Sequence, residues 1–407
     1  MAVTIPPSRW DAFPGLAELA AVLGAAAGQA RYVGGAVRDT LLDTPVADVD
    51  IATGREPEQV MALLEEAGIR AVPTGLAHGT VTAVLASGQP VEVTTLRRDL
   101  STDGRHAVVA FTDDWREDAS RRDFTMNALY ADPVTGAVID YFDGLTDLAA
   151  RRVRFIGDPL QRIAEDHLRI LRFFRFHARF GDAIDADGLD ACVTRSRDLM
   201  ALSRERIAAE LLKLLVARAA VPVVELMVRR AILLPVLPEI DEAGVERLIT
   251  LAEAERAANV APDAIRRLAA LVPPDAAEAV GARLKLSNAD RKRLVGATAG
   301  PGDEGPAGLA YRAGTIQAVD RLLIAGRDPT PVLNWAPPRL PIGGGALVAR
   351  GLAKGPAVAS ALREVERRWI AEGFPDAERV DQIADAVAAS CRDDSKASAS
   401  AASSGRA

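Results

Sequence analysis

The sequence predicts an α+β protein, with a mixed sheet and helices in about its first 145 residues and helices alone afterwards. Two observations indicate this class. Apolar, β-branched runs over 79–86 and 90–96 alternate with helical segments in the first part of the chain. From residue 161 onward, apolar residues recur with the period of a helix and strand-like runs are rare.

Local signals predict the individual elements. Ser87-Gly88-Gln89 separates the two β-branched runs and predicts a hairpin turn between them. A helix over 58–67 is expected to end before Gly68, because glycine is favoured just past a helix C-terminus. The remaining predictions for this part are an alanine-rich helical segment at 11–30, strands at 31–33 and 48–52, and a mobile polar loop at 99–117.

The length of 407 residues suggests two or three domains. We predict an α/β head over 1–145, helical regions over 146–270 and 271–390, and a disordered tail over 391–407. The tail prediction rests on its composition of serine, alanine and small charged residues.

Composition narrows the classes of function. The net charge of -7 argues weakly against nucleic acid as a partner, yet residues 147–180 contain eight arginines against four acids, and such a cluster can bind phosphates. Only two cysteines occur, without metal-ligand spacing, which is typical of the reducing cytoplasm. No run of eighteen apolar residues exists, so no membrane span is expected.

A glycine-rich turn followed by two aspartates is the strongest indication of function. Gly34, Gly35 and Arg38 follow a predicted strand, and Asp48 and Asp50 have the spacing that puts both side chains on one face of a strand. Glycines let the backbone approach phosphates closely, and carboxylates are the ligands that Mg²⁺ prefers. The pattern predicts a site for a nucleoside triphosphate and one or two Mg²⁺ ions. An ordinary strand-to-helix turn beside two solvated acids is the alternative.

Three motifs in this order resemble those of the class II tRNA nucleotidyltransferases, the family of CCA-adding enzymes and bacterial poly(A) polymerases. They are the glycine turn 34–39 with the aspartates at 48–50, the segment 121–128, and the segment 165–176. The resemblance implies a polymerase-β-like nucleotidyltransferase head with a mixed sheet, followed by an elongated, all-helical neck, body and tail.

The resemblance also implies roles for particular residues. Asp48 and Asp50 would bind Mg²⁺, with Glu92 as a third carboxylate near the metal; for Glu92, a solvent-facing position on an edge strand is the alternative. Gly34, Gly35 and Arg38 would approach the triphosphate. Arg122 stands where the family has a nucleotide-contacting arginine. Asn127 is either a hydrogen-bonding partner of the ribose or backbone, or a structural residue.

The third motif suggests how a base is selected. Asp166 and Arg169 are three residues apart, on one face of a predicted helix, where such a pair is usually only a surface salt bridge. In the family's context, Asp166 would accept from the exocyclic amine of cytosine or adenine and Arg169 would donate to the ring nitrogen, a pattern that uracil and guanine reverse. Arg172 and Arg175 wind around the helix and are assigned to phosphates or to holding the site.

The predicted activity is therefore template-independent addition of C, C and A to the 3′ end of tRNA, using CTP and ATP. The segment 73–82 lacks the basic run that poly(A) polymerases of this class carry there. The loop containing Asp103-Gly104-Arg105 resembles the flexible element with which CCA enzymes switch from C to A. A bacterial poly(A) polymerase and a non-catalytic tRNA-binding module are the alternatives.

Overall fold

The computed structural model describes residues 3–102 and 107–404. It divides into two compact units, one that ends at Pro238 and one that begins at Glu239. Within the described residues, all strands lie in the first unit, and the second unit is helical. The predicted order of a mixed sheet followed by helices is confirmed. The boundaries at residues 145, 270 and 390 remain predictions.

The elements are as follows. The strands are β1 (Ala30–Val33), β2 (Asp50–Thr53), β3 (Arg70–Gly75), β4 (Thr80–Val84), β5 (Pro90–Thr95), β6 (Arg97–Thr102), β7 (Ala107–Phe111), β8 (Leu129–Ala131) and β9 (Val138–Asp140). The helices of the first unit are α1 (Leu16–Val22), α2 (Gly35–Leu41), α3 (Pro57–Glu66), α4 (Trp115–Ser120), α5 (Gly144–Ala149), α6 (Pro159–Glu165), α7 (Arg169–Phe180), α8 (Ala186–Thr194), α9 (Arg204–Leu215) and α10 (Ala220–Arg229). Those of the second unit are α11 (Glu242–Ala257), α12 (Ala264–Leu271), α13 (Ala277–Arg283), α14 (Asn288–Ala297), α15 (Gly305–Ala313), α16 (Thr315–Ile324), α17 (Thr330–Leu333), α18 (Gly344–Ala349), α19 (Pro356–Ala371) and α20 (Ala377–Ser404).

The main sheet has seven strands in the order β3-β4-β5-β2-β1-β8-β9. β2 and β5 are parallel, and the other neighbouring pairs are antiparallel. The predicted hairpin is confirmed, since β4 and β5 pair from Val84↔Pro90 to Thr80↔Thr94. Val81, Val91 and Val93 are at most 1% exposed and point to one face of the hairpin. Burial of every second residue is typical of a half-buried strand. This sheet carries Asp50 and Glu92 on adjacent strands.

The structure differs from the sequence prediction in two segments of the first unit, 11–30 and 99–117. The segment 11–30 is not one helix: Gly15 and Gly24 have φ of +92° and +85°, which interrupt helical geometry on either side of α1. The segment 99–117 contains β6, β7 and the start of α4 instead of a continuous loop. Residues 107–111 are apolar and β-branched, which favours a strand. Asp103-Gly104-Arg105 lies outside the described residues.

A third difference lies in the predicted helix that carries the third motif. Asp166 does not lie on a helix, because α6 ends at Glu165 and α7 begins at Arg169. The backbone at Asp166 is extended, with φ of -149° and ψ of 106°. Its carboxylate accepts a hydrogen bond from the amide of Leu168 at 3.1 Å, and such a local bond competes with helical pairing.

The second unit is held by an apolar core and by buried ion pairs. Trp369 is 1% exposed within the cluster formed by α18, α19 and α20. Asp320 is fully buried and accepts from Arg266 (Nε, 2.9 Å) and from Arg293 (Nε, 2.8 Å). α20 continues to Ser404, through the segment expected to be disordered, and alanine is the strongest helix former there. None of the helices in the described ranges is long and apolar enough to cross a membrane.

Candidate active site

One cleft of about 860 Å³ in the first unit brings the predicted site residues together. We call it the central cleft. All eleven candidates line it, namely Gly34, Gly35, Arg38, Asp48, Asp50, Glu92, Arg122, Asp166, Arg169, Arg172 and Arg175. Four further residues complete the lining: Asp123, Asn127, Phe176 and Lys213. Residues as far apart in sequence as 34 and 213 therefore share one site.

Three carboxylates form one edge of the central cleft. Asp50 is the first residue of β2 and is the register partner of Glu92 on the parallel strand β5, so the two side chains stand side by side. Asp48 precedes Asp50 by two residues. Burial raises the pKa of Asp50 to about 6, and the negative charges of Glu92 and Asp48 add to this, while Arg122 opposes it. A cation at this edge would therefore be stabilised.

The carboxylate edge suits a cation that needs few protein ligands. Across the described ranges, no group of three or more His, Cys, Asp and Glu side chains is arranged to hold a metal ion by itself. Mg²⁺ is usually held by one or two carboxylates together with water and substrate phosphates. The pair Asp48 and Asp50 fits that donor set.

The glycine turn forms the floor of the central cleft between β1 and α2. Gly34 has φ of +72° and ψ of -123°, a conformation that residues with a side chain rarely adopt. A Cβ at this position would lie 3.4 Å from Nη1 of Arg122. That distance is an ordinary contact, so the sequence needs glycine here for the backbone angle.

Arg38 lines the central cleft but is firmly held by protein groups. The residue is 5% exposed. Its guanidinium donates to Asp39 at 2.7 Å and to the side-chain oxygen of Asn127, and it stacks on Phe180 at 4.2 Å. Burial lowers its pKa, against the opposing charge of Asp39. Asn127 also donates to Asp123 at 2.9 Å, so it links two charged residues of the cleft.

Arg122 is positioned by a buried carboxylate that the sequence motifs did not single out. Asp118 is 1% exposed and accepts from Arg122 (3.1 Å), from Arg121 (2.9 Å) and from the hydroxyl of Tyr130 (2.7 Å). The sequence did contain a signal for this contact, because Asp118 lies four residues before Arg122 and residues four apart are neighbours on a helix. Asp118 thus holds a cationic side chain at the cleft.

Asp166 and Arg169 both line the central cleft, but each is held by another partner. Both carboxylate oxygens of Asp166 accept hydrogen bonds from Nη2 of Arg206, at 3.0 and 2.8 Å. Arg169 donates to Glu165 (2.7 Å) and to the backbone carbonyls of Arg162 and Arg121 (both 2.9 Å). The two side chains are therefore fixed independently, each with further polar capacity for a ligand.

Arg172 and Arg175 are bound to buried carboxylates. Arg172 donates to Asp123 through Nε at 2.8 Å and lies 3.8 Å from Glu210. Arg175 donates to Glu210, which is 6% exposed on α9. These contacts favour the holding role over a direct phosphate contact, while both arginines still add positive charge to the lining.

The chain matches known proteins over two segments. Residues 30–154 match the model of the poly A polymerase head domain, and residues 183–243 match the model described as the probable RNA and SrmB-binding site of polymerase A. The human mitochondrial CCA tRNA nucleotidyltransferase 1 is 46% identical over 190 residues, which is 46% of this chain and 43% of that protein. The CCA-adding enzyme of Leuconostoc citreum is 45% identical over 194 residues, 47% of each chain. The matches thus span less than half of each relative.

A solved structure extends the likeness to almost the whole chain. The CCA-adding enzyme of Bacillus stearothermophilus, in complex with CTP, superposes with a TM-score of 0.75 at 27% identity and covers 96% of this chain and 99% of that one. The polymerase-β-like head with a helical remainder is thereby confirmed. Residues 30–154 and 183–243 thus belong to the poly A polymerase head and RNA-binding domain families, and almost the whole chain is similar in structure to a CCA-adding enzyme.

Proposed function

We propose that this protein adds C, C and A to the 3′ end of tRNA, using CTP and ATP and releasing pyrophosphate. The observation that carries the proposal is the central cleft, where a carboxylate edge and the Asp166–Arg169 pair face one cavity. The similar proteins described above are a CCA tRNA nucleotidyltransferase and a CCA-adding enzyme, and the similar solved structure is a CCA-adding enzyme in complex with CTP.

Family membership implies a divalent metal, and we assign it to Asp48 and Asp50 as Mg²⁺. When bound, such an ion lowers the pKa of the attacking 3′-hydroxyl and neutralises charge on the triphosphate. Glu92 stands beside Asp50 and contributes to the negative field of this edge.

The chain's own side chains bind and orient the nucleotide. Gly34 allows the backbone and Arg122 to approach the triphosphate from one side. Asp166 accepts from the exocyclic amine of cytosine or adenine, and Arg169 donates to the adjacent ring nitrogen. Uracil or guanine would leave buried donors and acceptors unpaired at about 1–3 kcal/mol each, so two bases are selected without a template.

The acceptor end of tRNA is the proposed partner, and its phosphates would be attracted by the arginine-rich segment 147–180. Its binding should therefore weaken with salt concentration. The cytoplasm stays the proposed location, on the basis of two cysteines in 407 residues.

The test compares wild-type protein with Asp50→Asn in adding one C to a tRNA transcript that lacks CCA. Loss of a metal-binding carboxylate removes several kcal/mol of charge stabilisation, so the rate should fall about 10³-fold or more. Binding of the same tRNA, measured by filter retention, should be unchanged. The matched control is Asp190→Asn, which alters an exposed aspartate outside the central cleft. An unchanged addition rate in Asp50→Asn, or no addition by wild type, would refute the proposal.

A further inference from the structure

Helix α9 contributes a clamp to the central cleft. Arg206 lies near its start, and its Nη2 donates to both carboxylate oxygens of Asp166, 40 residues earlier in the chain, at 3.0 and 2.8 Å. One turn later, Glu210 holds Arg175. The start of α9 is itself fixed, because Ser203 caps it by accepting from the amide of Arg206. The capped helix α9 therefore holds the carboxylate of Asp166, although α9 lies outside the motif 165–176.

Asp166 has little else to fix its orientation. It lies in the extended break between α6 and α7, so no helical backbone sets the direction of its side chain. Besides Arg206, its carboxylate accepts from the amide of Leu168 at 3.1 Å. The side chains of Asp166 and Arg206 are 30% and 35% exposed, and Asp166 lines the central cleft. The direction in which Asp166 presents its oxygens depends on Arg206.

We propose that Arg206 is a positioning residue for base selection, an inference that rests on the proposed function. A carboxylate has about four acceptor sites. Arg206 occupies one on each oxygen and the amide of Leu168 a second on Oδ1, which leaves one site on Oδ2 for the exocyclic amine of cytosine or adenine. Released from this clamp, Asp166 can rotate and accept the ring N–H of uracil or guanine instead. Arg206 thus fixes which edge of a base the carboxylate accepts.

The test measures single additions of C, A, U and G to tRNA transcripts with the appropriate ends, together with equilibrium binding of the four triphosphates. For Arg206→Ala we expect kcat/KM for CTP and ATP to fall about 10- to 100-fold, since one charge-assisted contact is lost. The preference for CTP over UTP should fall at least about tenfold. Arg206→Lys should restore most of the preference, because a single nitrogen contacts both oxygens.

The matched control is Arg230→Ala. It removes another arginine–aspartate contact of 3.0 Å across 40 residues, with Asp190, outside the central cleft, and it should leave the preference unchanged. If wild-type protein adds C, C and A and Arg206→Ala keeps the wild-type preference for CTP, the role of Arg206 is refuted while the proposed function stands. A wild-type protein without any preference among the four triphosphates would overturn both the clamp and the proposed base selection. If Arg206→Ala melts early, Arg206→Gln, which keeps a donor without the charge, takes its place with the same expected loss of preference.

Discussion

Asp118→Asn should destabilise the first unit and weaken the site at once. The carboxylate is 1% exposed and accepts from two arginines and a tyrosine, and one of those arginines lines the central cleft. Asparagine has nearly the same shape but presents an amide donor to the guanidinium groups in place of one acceptor oxygen. Arg122 would therefore lose the charged partner that holds it at the central cleft.

Two comparisons give the size of the expected loss of stability in Asp118→Asn. Burial alone would raise the pKa of Asp118, but the charges of Arg122 and Arg121 and the hydrogen bond from Tyr130 lower it from 3.8 to about 2. That difference corresponds to about 2 kcal/mol of stability at neutral pH. Removing one partner of a buried ion pair costs about 3–5 kcal/mol. Because asparagine keeps one acceptor, we expect a loss of about 2–3 kcal/mol.

Native-state hydrogen exchange of the β1 and β8 amides, combined with urea titration, measures this loss in the first unit. Since the folded pKa is depressed, the contribution of Asp118 is complete above about pH 4 and disappears as the pH falls toward 2. The difference between wild type and Asp118→Asn should shrink over that range. A loss below about 0.5 kcal/mol at pH 7, comparable with that of the exposed control Asp190→Asn, would refute the reasoning.

Three further outcomes are expected. Gly34→Ala should cost about 1–3 kcal/mol of stability because of its φ of +72°. It should also raise KM for CTP and ATP alike, because the strained turn lines the central cleft; steady-state kinetics with wild-type KM values would contradict this. Asp320→Ala should cost about 3–5 kcal/mol in the urea unfolding of the second unit, because it leaves the guanidinium of Arg266 buried without this partner; a loss under 1 kcal/mol would show that the network contributes little. Chelation of divalent ions with EDTA should abolish nucleotide addition without shifting the thermal melting temperature, whereas activity that survives chelation would exclude the metal assignment.

The sequence was sufficient to locate the cleft, because the residues that approach phosphate and metal lie in short local patterns. The glycine turn at 34–35 follows a strand, as predicted. The strand predicted over 48–52 begins only at Asp50, so Asp48 precedes β2, and the i, i+2 spacing indicated the shared site of the two aspartates but not the backbone of Asp48. All of these residues line the central cleft.

Most contacts between charged side chains of the site could not be predicted from local sequence patterns. That Glu92 stands beside Asp50 depends on the parallel pairing of β2 with β5, which no spacing within either strand encodes. The expected helical pair of Asp166 and Arg169 assumed a continuous helix, but α6 ends at Glu165 and the carboxylate of Asp166 accepts from the amide of Leu168. Asp118 contacts Arg122 within one helical turn, so the spacing offered a signal that was not used. Arg206 reaches Asp166 across 40 residues, so its place beside the site required the fold.

The most direct measurement follows the products formed on tRNA transcripts that end before CCA, after C, or after CC. Each is incubated with Mg²⁺ and single or mixed triphosphates, and the products are separated at nucleotide resolution. The account predicts addition of C, C and A to the first transcript, of the missing residues alone to the others, and no use of UTP or GTP. Long adenosine tails on any RNA would instead identify a poly(A) polymerase, and arrest after CC would contradict the complete reaction proposed for this cleft.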